Sequence, residues 1–495
     1  MIETGLPILL PFVLIIALLF SRSAVYSKWI GILGGSLNMV VAIYLFSQLR
    51  QHDVLVMQMG GWAAPYGITL AVDYLSALML LVTALIVLVI AIYASRFIGD
   101  KPGYSKFHIF FFSLIMGVNG AFITGDVFNF YVWLEVILLS SFVLITMGAK
   151  IEQLEGGIKY MTLNLIASLL FLAGIGLLYG KTGTLNMAHL ARILNFDQQS
   201  ILMNTSAMMF FVALGIKAAV FPLFFWLPAS YHTPNITVTS LFAGLLTKVG
   251  VYALIRFFTL FFVQDVDFWH NLLLIMAGLT MVIGGMAATI YFETRRILSY
   301  HIISQIGYMI MGLGIYTPLA IAGAIFFMIH NIIAKINAFL VMGIVSKIKG
   351  TFYLKNIGGL YKERPFIAIL FIIPAFALAG IPPLSGFFGK FILIKAGIED
   401  KHYIVTAVAV LTSLLTLYSM IKIWNEAFLK KQPEATHLPP KVKLGISEVL
   451  PSVLLALASI LLGLLAAPFF ELTLSAANQL MDSDVYIEAV LKRIE

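Results

Sequence analysis

"GIKAAVFPLFFWLPASYHTP" runs from Gly215 to Pro234 and sets a lysine, Lys217, and a proline, Pro222, inside one apolar stretch. The surrounding residues read as bilayer filling, and both exceptions are expensive there. An ammonium group has to be compensated at membrane depth. A proline removes a backbone donor and clashes with the preceding turn. Their coincidence in one span calls for a use.

The rest of the chain has the same character. Of its 495 residues 61% are hydrophobic and 11% are charged, against about 25% charged in soluble domains. Apolar runs of about 20 residues recur from end to end, which predicts an all-α polytopic membrane protein rather than a barrel of short alternating segments. The first run, Leu6 to Phe20, lacks a basic leader and a small-residue cleavage site, so it reads as a mature helix. The net charge of +8 comes mostly from loops on one side and is no nucleic-acid signal. Without cysteine, disulfides, zinc–thiolate sites and iron–sulfur ligation are excluded.

About fourteen spans are expected, near 5–21, 29–48, 72–95, 107–124, 127–148, 158–180, 204–231, 236–262, 270–292, 299–317, 319–346, 365–399, 403–428 and 448–470. The seventh holds Pro222 and Pro228, and the twelfth holds "AGIPPLSG" (Ala379 to Gly386) with Pro382 and Pro383. Both should be broken in mid-membrane, where freed backbone groups survive only against protein or a wet cavity. Lysine and arginine follow the odd-numbered spans: Arg22, Lys28, Arg96, Lys101, Lys106, Lys150, Lys159, Arg295, Arg296, Lys347, Lys349, Lys355, Lys362, Arg364, Lys430, Lys431, Lys441 and Lys443. That bias places those loops inside and both termini outside.

The breaks also suggest an internal symmetry. Pro222 lies 115 residues after the start of the fourth span, and Pro382 lies 112 after the start of the ninth. Units of five spans enter from opposite faces, so two inverted repeats are expected, each with one broken helix, the arrangement that marks transport sites. The expected division is an N-terminal three-helix segment (1–105), repeat one (106–263), repeat two (264–428), and a loop, last span and outer tail (429–495).

Setting aside loop and end positions, the ionisable residues within spans are Glu135, Lys217, Lys248, Lys335 and Lys390, with His330. Any one lysine reads equally as a packing or snorkelling residue; four at mid-span do not. Glu135 in "FYVWLEVILLSS" is the only carboxylate deep in a span, hence the natural partner for Lys217. A free lysine holds its proton to about pH 10; apolar surroundings favour its neutral form and a nearby carboxylate its charged form. A lysine moved between those environments takes up and releases a proton, and Pro222 gives its helix room to move. Lys248, Lys335 and Lys390 would extend a hydrated proton path, with His330 as a relay.

Asp73 and Asp126 lie at outer span ends and read first as helix caps, His232 as interfacial, and Arg295 and Arg296 as inner anchors. "GIGLLYGKTG" (Gly174 to Gly183) imitates a phosphate loop, but the position needing glycine is Ile175, and it ends an apolar helix. No His/Asp/Glu cluster has metal-ligand spacing. The tail "YIEAVLKRI" puts Ile487, Val490, Leu491 and Ile494 on one helical face, a partner-docking stripe or, by default, a frayed end.

These stretches, with "FETRRILSYHIISQIGYMIMGLG", "HNIIAKINAFLVMG" and "AGIPPLSGFFGKF", resemble the antiporter-like subunits shared by Mrp-type cation/proton antiporters, respiratory complex I and membrane-bound hydrogenases. The resemblance covers about 105 to 425 and is strong because so many motifs occur in order. It implies that Glu135 pairs with Lys217, that Lys248 and Lys390 lie on the proton path, and that His330 and Lys335 join them. "FAGLLTKVGVYALIR" is most similar to the D-type subunits of the Mrp branch; "YHTPNIT" departs from their pattern. The resemblance implies a hetero-oligomer with other Mrp-type subunits in a bacterial cell membrane, exchanging Na+ for H+ without a redox group or other cofactor. The alternative it leaves open is a proton-pumping subunit of a redox-driven complex.

Overall fold

The computed structural model describes residues 2–21, 23–98, 103–194, 201–433 and 443–491. Arg22, Lys101, Lys441 and Ile494 lie outside the described residues. α1 (Leu6–Phe20) and α2 (Ala24–Gln48) lead into an antiparallel hairpin of β1 (Leu55–Gln58) and β2 (Thr69–Val72). Next come α3 (Tyr74–Phe97), α4 (Phe107–Ile123), α5 (Val127–Thr146), α6 (Ile151–Thr182) and the short α7 (Met187–Leu194). α8 (Ile201–Ala218), α9 (Trp226–Ser230) and α10 (Ile236–Leu260) complete the first half. The second half holds α11 (Val266–Ile290), α12 (Thr294–Ile315), α13 (Pro318–Lys349), the single turn α14 (Leu360–Glu363), α15 (Pro365–Ala379), α16 (Ser385–Glu399) and α17 (Tyr403–Trp424). α18 (Ile446–Leu464), α19 (Ala466–Met481) and α20 (Ser483–Leu491) follow.

The protein is an all-α membrane protein. Twelve helices among the described residues are long and apolar enough to cross a membrane; α4 and α15 are apolar but shorter. The expected twelfth span is two 15-residue helices, α15 and α16. At 1.5 Å per residue neither crosses a hydrocarbon layer of about 30 Å alone. Side-chain caps start several spans: Asp73 accepts from the Ser76 amide, Asp126 from Asn129, Glu293 from Arg296 and Thr317 from Ala320. Capping is therefore the role Asp73 and Asp126 play, and each satisfies one amide that a helix start leaves open.

α10, α12 and α13 form the centre. The apolar window of α10 is buried throughout, and those of α12 and α13 nearly so. These helices carry Lys248, His301, His330 and Lys335, so their polar groups face other protein helices. One connection recurs. Val127 and Met187 bond through their amides to Leu185 and Gly125 carbonyls, and Thr294 and Leu354 bond likewise to Phe352 and Phe292. All four positions are displaced by 167 residues, as are the bridges Asp126–Asn186 and Glu293–Tyr353.

As far as Leu491 the tail is helical. The last span continues past residue 470 as α19, which packs on α13 and α3. α20 then docks on its own chain, burying Tyr486, Ile487, Val490 and Leu491. The apolar stripe is used within the chain because α7 and β1 supply a surface that sequence periodicity cannot reveal.

Candidate functional site

The first break begins where α8 ends. Ala219 takes a left-handed conformation (φ 59°), an unusual one for a residue with a Cβ. The break frees backbone groups, and side chains from other segments satisfy them. The Trp226 indole donates to the Ile216 carbonyl at 2.8 Å, and the Phe221 amide donates to Thr280 Oγ1 on α11 at 3.0 Å. Gly250 of α10 faces this end closely, since a Cβ there would lie 2.6 Å from the Ala218 nitrogen.

Lys217 occupies the last turn of α8 and is 8% exposed. Its ammonium donates to Ser168 Oγ on α6 at 3.3 Å. No ion pair joins it to Glu135: Glu135 Oε1 is buried without a hydrogen-bond partner, though the two charges are within electrostatic reach. A cavity of about 20 Å³, lined by Lys217, Tyr160, Asn164, Trp226 and Gly250, adjoins the break. That is room for about one water molecule. The expected pairing is thus not a direct contact, and Ser168 is the hydrogen-bond partner of Lys217.

Lys248 is fully buried and turns back to donate to the Ala243 carbonyl at 2.9 Å. Lys335 is fully buried, and its Nζ has no protein partner. Lys248 and Lys390 both lie within electrostatic range of it. Asn331 and Asn337 on the same helix also bury amide groups without partners. Buried polar groups are almost always bonded to protein or water, so these three side chains call for partners that the protein itself does not supply.

The second break is closed differently. Gly380 (φ 89°) ends α15, and Lys390 of α16 reaches back to donate to the Leu378 and Ala379 carbonyls at 3.0 and 3.1 Å. A cation at a helix C-terminus is favoured by the macrodipole. Its ammonium also lies 5.1 Å from the Tyr308 ring centroid. His330 Nδ1 is hydrogen-bonded to Ser385 Oγ at the start of α16 (2.8 Å), while its Nε2 is buried without a partner. The structure therefore brings Lys335, Lys390 and His330 into one cluster and places Glu135 and Lys217 in another. α10 with Lys248 lies between.

Two features escape sequence reading. Arg256 on α10 pairs bidentately with Asp73, at 2.5 and 2.8 Å, with both side chains buried. Its place toward the end of a span gives no sign of that partner. His301 on α12 is fully buried and bonds Ser419 of α17. A histidine within an apolar helix is the available signal, in the stretch "SYHIISQIGY".

The NADH:quinone oxidoreductase/Mrp antiporter transmembrane family model matches residues 124–416, more than half the chain. The N-terminal model of complex I chain 5 matches 57–108. The chain is 45% identical over 488 residues to the D-type subunit of the Na+/H+ antiporter of Alkalihalophilus pseudofirmus, covering 98% of this chain and 99% of that one. It superposes on a chain of the Mrp complex from Dietzia sp. DQ12-45-1b with a TM-score of 0.90 and 31% identity, covering 99% and 100%. A chain of the membrane-bound sulfane sulfur reductase, an archaeal respiratory membrane complex, matches at TM-score 0.90 and 27% identity, with 99% of each covered.

Proposed function

The chain belongs to the NADH:quinone oxidoreductase/Mrp antiporter family, and from that premise we propose that it carries protons within a multisubunit Na+/H+ antiporter. It is a D-type antiporter subunit, working with other Mrp-type subunits in the bacterial plasma membrane and coupling proton influx to Na+ efflux. Glu135 and Lys217 form the proton-switching pair at the first break. Lys248 and Lys335 continue the path, and Lys390 with His330 complete it at the second. The two five-span units act as inverted copies, a reading supported by the 167-residue recurrence of the loop bonds. Both termini face outside, as the lysine and arginine bias favours.

The observation that carries this reading is the row of four lysines at most 8% exposed inside the helix bundle. Fixed charges there would be costly, whereas protonatable groups beside water can relay. Lys217→Ala and Glu135→Ala should each abolish Na+-dependent proton movement in everted vesicles, with the complex still assembled. Normal flux in those assembled variants would overturn the mechanism. A proton-pumping role in a redox complex is the second reading, favoured by the match of residues 57–108 to the complex I chain 5 model and by the 27% identical reductase chain. Flavin or iron–sulfur absorbance co-purifying with the chain would establish it.

A further inference from the structure

We propose that His301 carries protons between Lys390 and the membrane face bearing Arg295 and Arg296, along a polar seam between α12 and α17. This rests on reading the chain as a proton-carrying subunit.

The seam is laid out by helical spacing. His301, Gln305 and Tyr308 are four and three residues apart, so they share one face of α12. Opposite them on antiparallel α17 stand Ser419, Thr416 and Ser413. His301 Nε2 lies 2.6 Å from Ser419 Oγ, Gln305 Nε2 donates to Thr416 Oγ1 at 3.4 Å, and Tyr308 Oη bonds Ser413 Oγ at 2.8 Å. Above Tyr308 sits the Lys390 ammonium. Below Ser419, partly exposed Lys422 donates to the Thr289 and Tyr291 carbonyls at the end of α11. The row thus runs from the second break toward the face that the basic loops assign to the cytoplasm.

With its hydroxyl turned to the Leu415 or Thr416 carbonyl, each 3.0 Å away, Ser419 Oγ accepts from His301 Nε2–H. Nδ1 then carries a lone pair, and it is buried without a protein partner. Gln305 Oε1 and Thr412 Oγ1, on the same seam, are buried and unpartnered too. Three orphaned polar atoms along one interface are stations for water. Nδ1 accepts a proton from the Lys390 side while Nε2 passes its own to Ser419 Oγ; the Ser419 hydroxyl, turned from its carbonyl, gives its proton to water on the Arg295 side, and tautomer exchange returns the ring proton from Nδ1 to Nε2. No other reactant is consumed. Lys335 and Lys390 are the charges that reach His301.

His301 also matches the first half. The 167-residue offset carries Glu135 to position 302, one residue from the imidazole. It carries Ser168, which holds Lys217, to Lys335. Glu135 and His301 thus stand on corresponding spans, one residue out of register.

The test uses the full antiporter complex in everted vesicles, with Na+-dependent proton flux as readout and Lys217→Ala as control. His301→Gln keeps a donor for Ser419 but cannot relay, so flux should fall by at least about tenfold. Millimolar imidazole should partly restore flux in His301→Ala. Thr412→Val removes only an unpartnered hydroxyl, so it should slow flux without lowering complex yield or thermal stability. Full flux in assembled His301→Gln, or in Thr412→Val should the histidine variants not assemble, overturns the proposal provided Lys217→Ala is inactive. Full flux in Lys217→Ala would instead overturn the functional reading beneath it.

Discussion

The Lys390 ammonium lies 3.0 Å from the Leu378 carbonyl oxygen, closing the end of α15 from across the break. Around the breaks, Ala219 corresponds to Gly380 and Pro222 to Pro383, both at an offset of 161, which carries Lys217 to Leu378. One break lysine grows from the end of the first half-helix, and the other returns to that same end from the second. Different sequence positions thus deliver an ammonium to equivalent places in the two halves.

Lys390 has separable structural and transport roles. Lys390→Met leaves two buried carbonyls without their donor, at about 1–3 kcal/mol each, and should lower both thermal stability and flux. Lys390→Arg restores donors but cannot release a proton. It should keep stability near wild type while flux drops at least about tenfold. Thermal melts of the purified complex and vesicle assays separate the two.

The Asp73–Arg256 pair should be structural. Both partners are buried, and Tyr486 of α20 lies over the guanidinium. Asp73→Asn leaves Arg256 charged and unpaired, at a cost of about 3–5 kcal/mol, read as lost complex yield. Joint replacement by Asp73→Asn and Arg256→Met keeps a cap acceptor and removes the unpaired charge, so it should recover most of that yield with exchange intact. A double variant as poor as the single one would refute this.

Gly250 keeps α10 against the first break. A methyl there meets the Ala218 nitrogen at 2.6 Å and the Lys217 carbonyl carbon at 2.9 Å, both backbone atoms that must move together. Gly250→Ala should cost about 1–3 kcal/mol and depress flux by displacing Lys217. Gly278→Ala, with nothing within 4 Å of its added methyl, is the control and should behave as wild type. Equal flux in the two variants would show that the approach does not matter.

His232 should make the protein acid-sensitive. Its Nε2 accepts from Arg296 at 3.1 Å, so Nδ1–H donates to the Pro228 carbonyl at 2.9 Å, and the ring is neutral. Burial first, and then Arg296, hold its pKa below the usual imidazole value. A neutral form favoured by folding contributes stability that is complete above about pH 6.5 and lost as pH falls through the lowered folded-state value. The melting temperature of wild type should therefore drop more between pH 7.5 and pH 5 than that of His232→Asn. Parallel pH profiles would contradict it.

Composition and run length determined the membrane class, and the lysines with their adjoining prolines pointed to the two breaks, because bilayer burial constrains every position of a span. Asp73 and Asp126 were legible as caps, since capping is local. Tertiary structure alone decided which groups meet. Ser168, rather than Glu135, holds Lys217; Arg256 answers Asp73 across 183 residues; and α20 lies on its own chain. His301 shows the reason most plainly: one histidine in an apolar helix is ambiguous by itself. Its meaning came from Ser419, 118 residues away, which engages Nε2 while Nδ1 stays buried without a protein partner. Periodicity states which face of a helix is polar, but only packing selects the atom that face will touch.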